Sequence, residues 1–217
     1  PMLYKAVQNA VKKNGNTLFL TATSTDELDK KVKKKEIIRY SLPRRFHGNP
    51  LVVPEIKWVS KIREKIEKGR MPNELLKLIK KQRQTHYPLL IFVSEIELGQ
   101  QFTENVKKYF PEEKVGFVSS QTRDRLQIVE EFRKKEVSIL VSTTILERGV
   151  TFPFVDVFVL DSNHRLFTKS ALVQISGRVG RSKERPAGQL LFLSDGTTKE
   201  MKKAIKEIKG MNQEAGF

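Results

Sequence analysis

The chain has 217 residues, of which 38% are hydrophobic and 30% charged, with 41 lysines and arginines against 25 aspartates and glutamates (net charge +16) and no cysteine. This is the composition of a soluble globular protein with room for one core and an appendage. It excludes disulfides and thiolate zinc sites, offers no apolar run near the roughly 18 residues of a membrane span, and favours an anionic partner, with a solvated lysine face as the bland alternative.

Pro1 to Lys5 lacks the apolar stretch of a signal peptide. Leu3, Val7 and Val11 mark a helix over 3–13 that Gly15 ends. Residues 17–22 form a nearly all-apolar strand of the kind buried in a parallel sheet. Asp26-Glu27-Leu28-Asp29 spells a Walker B acidic motif, but no apolar strand leads into it. A capping box suits it better, with Ser24 as N-cap and Glu27 at the third helical position of a helix over 25–34. Glu36 to Tyr40 is a further strand. Residues 41–50, rich in Pro, Gly and Arg, read as a linker. His47 there is a linker residue, while Arg44, Arg45 and Phe46 suit either contact with a nucleic-acid strand or solvation. Two amphipathic helices follow over 57–69 and 73–84, with Asn73 as N-cap and Trp58 as a core or staple residue rather than a base-stacking platform.

From Pro88 the pattern alternates. Strands are expected over 89–93, 115–118, 137–142, 156–160 and 189–193, and helices over 95–108, 122–134, 168–175 and 197–209. Leu126, Val129 and Phe132 should face inward on the second of these helices, and Met201, Ile205 and Ile208 on the last. Five such strands imply a parallel α/β sheet whose ligands sit beyond the carboxyl ends of the strands. The organisation expected is 1–40, then a linker and helical segment over 41–87, then an α/β unit over 88–217.

The chemistry centres on Gln174-Ile175-Ser176-Gly177-Arg178-Val179-Gly180-Arg181. Two arginines, each after a glycine, follow a glutamine at a helix end. Guanidinium is a permanently charged planar fork that matches phosphate oxygens, so the pair suits a phosphate clamp on a transferring γ-phosphoryl group. A solvated basic loop is the plainer reading. Ser94, Ser119 and Thr143 close three of the strands, where hydroxyls bond phosphate oxygens of a nucleic-acid strand or simply cap the local turn.

Together with the strand and turn over 139–151, these residues resemble motifs V and VI of superfamily-2 helicases, and Thr21-Ala22-Thr23 resembles motif III. The resemblance implies a second RecA-like lobe preceded by the last part of the first. It implies that Arg178 and Arg181 reach ATP, that Gln174 senses its γ-phosphate or the attacking water, and that Gly149, Thr151 and Gly177 line the nucleotide. Thr151 stands where many relatives carry an acidic group near the ribose. It further implies that Thr143, Ser94 and Ser119 contact the DNA strand and that Thr21, Ala22 and Thr23 couple the lobes. The chain has neither a P-loop Gly-x-x-x-x-Gly-Lys-[Ser/Thr] nor a true DExx, so ATP and Mg²⁺ are expected to be held mainly by a first lobe and the chain alone is expected to be inactive. Gln at position 174, residues 42–45 and 142–153 resemble the ComFA-type competence ATPase family most closely. That likeness implies an ATP-driven motor moving single-stranded DNA through a membrane channel, cytoplasmic and peripheral to the membrane's inner face. A replication-restart-type helicase, or a non-enzymatic DNA-binding module on the same fold, remains open. No residue is assigned to a metal.

Overall fold

The computed structural model describes residues 10–12, 14–21, 23–143 and 151–217. They divide into two compact units, 1–40 and 41–217. Ala22, Gly149 and most of the helix expected over 3–13 lie outside the described residues.

The first unit holds helix α1 (Asp26–Lys33). Its N-cap is Thr25, whose side chain accepts from the Leu28 backbone N–H, one residue later than expected. Ser24 instead donates to Asp29 at 2.6 Å, so no Ser24–Glu27 box forms. Lys30, Lys31 and Lys33 fill its last turn, where the helix dipole favours cations. Residues 17–21 and 36–40 are not strands. An extended segment becomes a strand only by pairing, and no strand exists among the described residues of this unit. Leu18 and Leu20 are accordingly exposed.

The second unit is built on six parallel strands: β1 (Glu55–Trp58), β2 (Leu89–Phe92), β3 (Val115–Val118), β4 (Ile139–Ser142), β5 (Asp156–Leu160) and β6 (Leu190–Ser194). Their order is β1-β6-β5-β2-β4-β3. Helices α2 (Ile62–Glu67), α3 (Asn73–Arg83), α4 (Ile96–Tyr109), α5 (Arg125–Arg133), α6 (Lys169–Ser176) and α7 (Lys199–Glu214) connect and cover them. Because alternate strand residues face opposite ways, β2 feeds two cores. Leu90 and Phe92 pack with Val129 and Phe132 of α5, Leu172 and Ile175 of α6 and Met201 and Ile208 of α7. Leu89 and Ile91 pack with Ile62 and Ile66 of α2, Ile79 of α3 and Phe102 and Val106 of α4. Helices thus lie on both faces, which is why the central strands are buried at every position.

Several local expectations change. The segment expected to open a helix at 57 is first an edge strand, β1, with all four residues exposed. Trp58 is 66% exposed and belongs to neither core. Pro72 rather than Asn73 occupies the N-cap of α3. Leu126 lies in the first turn of α5 and is exposed, because only the stripe through Val129 and Phe132 meets the sheet.

Residues 41–52 are partly solvated, with Leu42 and Phe46 exposed, yet they are bonded to the rest of the unit. They run as a strap along the ends of two helices. Ser41 donates to Glu214 at 2.8 Å, Arg44 Nε to the Ala215 carbonyl at 2.9 Å, and the Leu51 N–H to Asn212 Oδ1 at 2.7 Å. Asn212 Nδ2 returns a bond to the Leu51 carbonyl at 2.9 Å.

Candidate functional site at the arginine turn

Helix α6 starts at Thr168, whose hydroxyl accepts from the Ala171 N–H at 3.2 Å. Leu172, Val173 and Ile175 bury its inner face. Past Gly177 the chain keeps turning tightly, with the Arg178 N–H donating to the Ile175 carbonyl and the Val179 N–H to the Ser176 carbonyl. A three-residue step around such a turn carries Arg178 to the side of Ile175. Arg178 is therefore 2% exposed, among the largest fully buried side chains. The two guanidiniums do not share one open patch, as the sequence suggested; only Arg181 is presented. Gln174 is half-buried on α6.

Gly180 reverses the chain at φ +69°, a left-handed conformation that costs an L side chain energy. A Cβ there would collide with the Pro186 carbonyl oxygen. The reversal returns Arg181 to the helix end. Its Nε donates to the Gly177 carbonyl at 2.8 Å and its Nη1 to Thr151 Oγ1 at 3.1 Å. This joins Gly177, Thr151 and Arg181, three of the residues singled out in the sequence. Burial draws the Arg181 guanidinium below its ordinary pKa.

The strap supplies a second guanidinium. Arg45 Nη1 donates to the Val179 carbonyl at 2.7 Å and to the Gly180 carbonyl, and Nη2 to the Gly177 carbonyl at 3.4 Å. His47 Nε2 lies 3.0 Å from the same Gly180 oxygen. The Asn49 N–H donates to His47 Nδ1 at 3.2 Å, so the ring proton sits on Nε2 and points at the turn. Burial, then the Arg181 charge, lower the Arg45 pKa to about 10, which leaves it a cation at neutral pH. Among the described residues no carboxylate pairs with Arg45 or Arg181. Arg44 and Arg45, expected on the nucleic-acid strand, thus donate to carbonyls within the unit. Nothing in the local sequence marks this, because their acceptors lie more than 130 positions away.

At the carboxyl rim of the sheet, Ser94, Ser119 and Thr143 follow β2, β3 and β4, and all three are nearly buried. Ser94 Oγ accepts from Arg63 Nη2 at 3.0 Å. Arg63 also bonds Asp161 and Glu95, each at 3.0 Å, and His164 Nε2 lies 3.3 Å from Glu95. Ser119 closes a local turn in which its N–H donates to Thr122 Oγ1 at 2.9 Å and its Oγ accepts from the Gln121 N–H at 3.2 Å. The Thr143 N–H donates to the Val118 carbonyl at 3.2 Å. In the first unit, Thr21 Oγ1 donates to the Thr23 carbonyl at 2.6 Å and accepts the Thr23 N–H at 3.1 Å.

One polar centre escaped the sequence reading. Asp156, fully buried at the start of β5, accepts Arg185 Nη2 at 2.6 Å and the Gln189 N–H at 2.7 Å on Oδ1, and Gln82 Nε2 at 2.9 Å on Oδ2. It ties down the segment after the arginine turn. The one available signal was an aspartate opening an otherwise apolar strand.

Comparison with known proteins matches residues 70–183 to the family described as helicase conserved C-terminal domain. The chain is 61% identical over all of its 217 residues to competence protein ComFA of Streptococcus pneumoniae, covering 50% of that protein. It is 34% identical over 208 residues to ComFA of Bacillus subtilis, covering 96% of this chain and 44% of that one. The chain thus spans about half the length of these curated relatives. Among solved structures it resembles S. cerevisiae Dbp5 bound to RNA and ADP BeF3, with TM-score 0.57 and 18% identity over 94% of this chain and 51% of that one. At that identity the likeness concerns the fold.

Proposed function

The chain belongs to the helicase conserved C-terminal domain family, as a ComFA-type superfamily-2 lobe, and from that premise we propose that it is the second lobe of an ATP-dependent DNA translocase driving single-stranded DNA uptake during competence. In this reading a first lobe holds ATP and Mg²⁺, and this lobe brings Arg181 to the γ-phosphoryl group as the two close. The observation that carries the reading is the posture of Arg181. Guanidinium has five N–H donors. Two of them hold Arg181 to the Gly177 carbonyl and Thr151 hydroxyl, which fixes its direction and leaves the others for phosphoryl oxygens. A cation so placed offsets the charge that gathers on those oxygens in the transition state. Gly177 supplies the carbonyl that aims Arg181, and Gln174 approaches from the preceding turn. Arg178, being buried, supports the turn from below rather than touching ATP. Ser94, Ser119, Thr143 and the basic surface face the DNA, with a channel at the membrane as further partner.

The test completes the chain with the amino-terminal half of the Streptococcus pneumoniae relative and measures DNA-stimulated ATP hydrolysis. Arg181→Ala should lower kcat about 10³-fold or more, the range for an arginine finger. The chain alone should not turn over. Unchanged hydrolysis in Arg181→Ala would overturn the assignment. The burial of Arg178 favours one competing reading, a non-enzymatic DNA-binding module. It would show as DNA binding with no ATPase restored by the added lobe.

A further inference from the structure

Arg45 is the first long cationic side chain of the strap to reach the arginine turn, five residues after the first unit ends at Tyr40. It and His47 bond three consecutive-region carbonyls, those of Gly177, Val179 and Gly180, at the carboxyl end of α6. Carbonyls at such an end have no partners within the helix and are satisfied from outside. The Gly177 carbonyl is shared: Arg45 Nη2 and Arg181 Nε both donate to it. Whatever turns that carbonyl turns Arg181.

We propose that Arg45, assisted by His47, is a positioning residue for Arg181. This inference rests on the role given to Arg181 above. Capping a helix carboxyl end accounts for one cation at this turn, but not for two side by side. Two half-buried guanidiniums stand beside one another with no carboxylate partner among the described residues; burial acts against both charges, and the Arg181 charge acts against that of Arg45. A turn needing only to be capped would be served by one neutral donor. A second guanidinium holding the first in register gives the pair a use, because a displacement of about 1 Å in a group that acts on the transition state costs roughly 10²-fold in rate.

The experiment uses the chain completed with a first lobe, as above, and the chain alone. In the completed protein Arg45→Ala should lower kcat about 10- to 100-fold with KM for ATP unchanged, because ATP is held by the other lobe. Arg45→Lys keeps the charge but cannot bridge three carbonyls and should fall between. Free guanidinium ion should partly restore Arg45→Ala and leave Arg181→Ala unaffected. In the chain alone, hydrogen exchange should quicken at the amides of 178–182 and stay unchanged over β2 and β5. A kcat within twofold of wild type in Arg45→Ala, alongside a large loss in Arg181→Ala, would overturn this inference and leave the role of Arg181 standing. If Arg181→Ala is itself silent, the underlying reading fails instead. Should Arg45→Ala unfold the chain, Arg45→Lys and His47→Phe carry the test, and full activity in both overturns the proposal.

Discussion

Replacing Asp156 with alanine is expected to destabilise the second unit by about 3–5 kcal/mol, the range for removing one partner of a buried ion pair. The structure gives an independent route to that figure. The carboxylate is fully buried and accepts three hydrogen bonds, from Arg185, Gln82 and the Gln189 backbone. Deleting it leaves three donors in a water-poor site, and each stranded donor costs about 1–3 kcal/mol. The sum overlaps the first range at its lower half, because Arg185 keeps the Phe154 carbonyl and its stack at 3.6 Å over the Tyr87 ring. For a domain of this size, about 2–4 °C of melting temperature per kcal/mol converts this to a fall of roughly 6–20 °C. Urea unfolding followed by circular dichroism would read it as a lower midpoint with an unchanged slope. The double variant Asp156→Ala/Arg185→Met should be more stable than the sum of the single changes by at least about 1 kcal/mol, since the stranded cation is gone. A loss below about 1 kcal/mol in Asp156→Ala, or strict additivity in the pair, would show that the site does not hold the segment after the arginine turn.

Gly180→Ala should cost more than about 2 kcal/mol, combining left-handed backbone with the collision at Pro186, and a melt within 2 °C of wild type would contradict it. Burial pushes the Glu113 carboxyl up, but bonds from Arg83 Nε at 2.7 Å and from the Ser138 hydroxyl outweigh it and hold it below the usual glutamate range. A depressed carboxylate stabilises fully above its unfolded value and loses that contribution as pH falls through the folded one. Glu113→Gln should therefore flatten the acid limb of stability below about pH 4.5, and equally steep limbs in both proteins would sink the argument. Trp58, the single tryptophan, is largely exposed. Trp58→Ser should change stability by less than about 0.5 kcal/mol, and its fluorescence should be open to acrylamide; a shielded signal would mean the edge strand is covered. Affinity for single-stranded DNA should fall steeply with salt, as phosphate contacts release counterions, and a flat response would argue against the basic surface as the binding face.

The parallel sheet was legible where burial on both faces leaves an apolar run. Leu89–Phe92, Ile139–Ser142 and Asp156–Leu160 are of that kind. Edge strand β1 was not, because the alternation of Glu55 and Lys57 with Ile56 and Trp58 lasts only four residues and every position is exposed. Arg178 was half legible: extending the helical turn one step past Gly177 places it under Ile175, but glycine invites the opposite reading. The strap was illegible, since Pro, Gly and Arg mark a linker and its partners lie in α7 and the arginine turn.

The bonds of residues 41–52 to Asn212, Glu214 and Ala215 place the final turn of α7 mechanically in series with Arg181. A purification tag or fusion that frays the helix beyond Asn212 would slacken that anchorage from the far end of the chain. Measurements on Arg181 therefore call for tags kept away from Phe217, since a loosened arginine turn would otherwise reflect the tag rather than the protein.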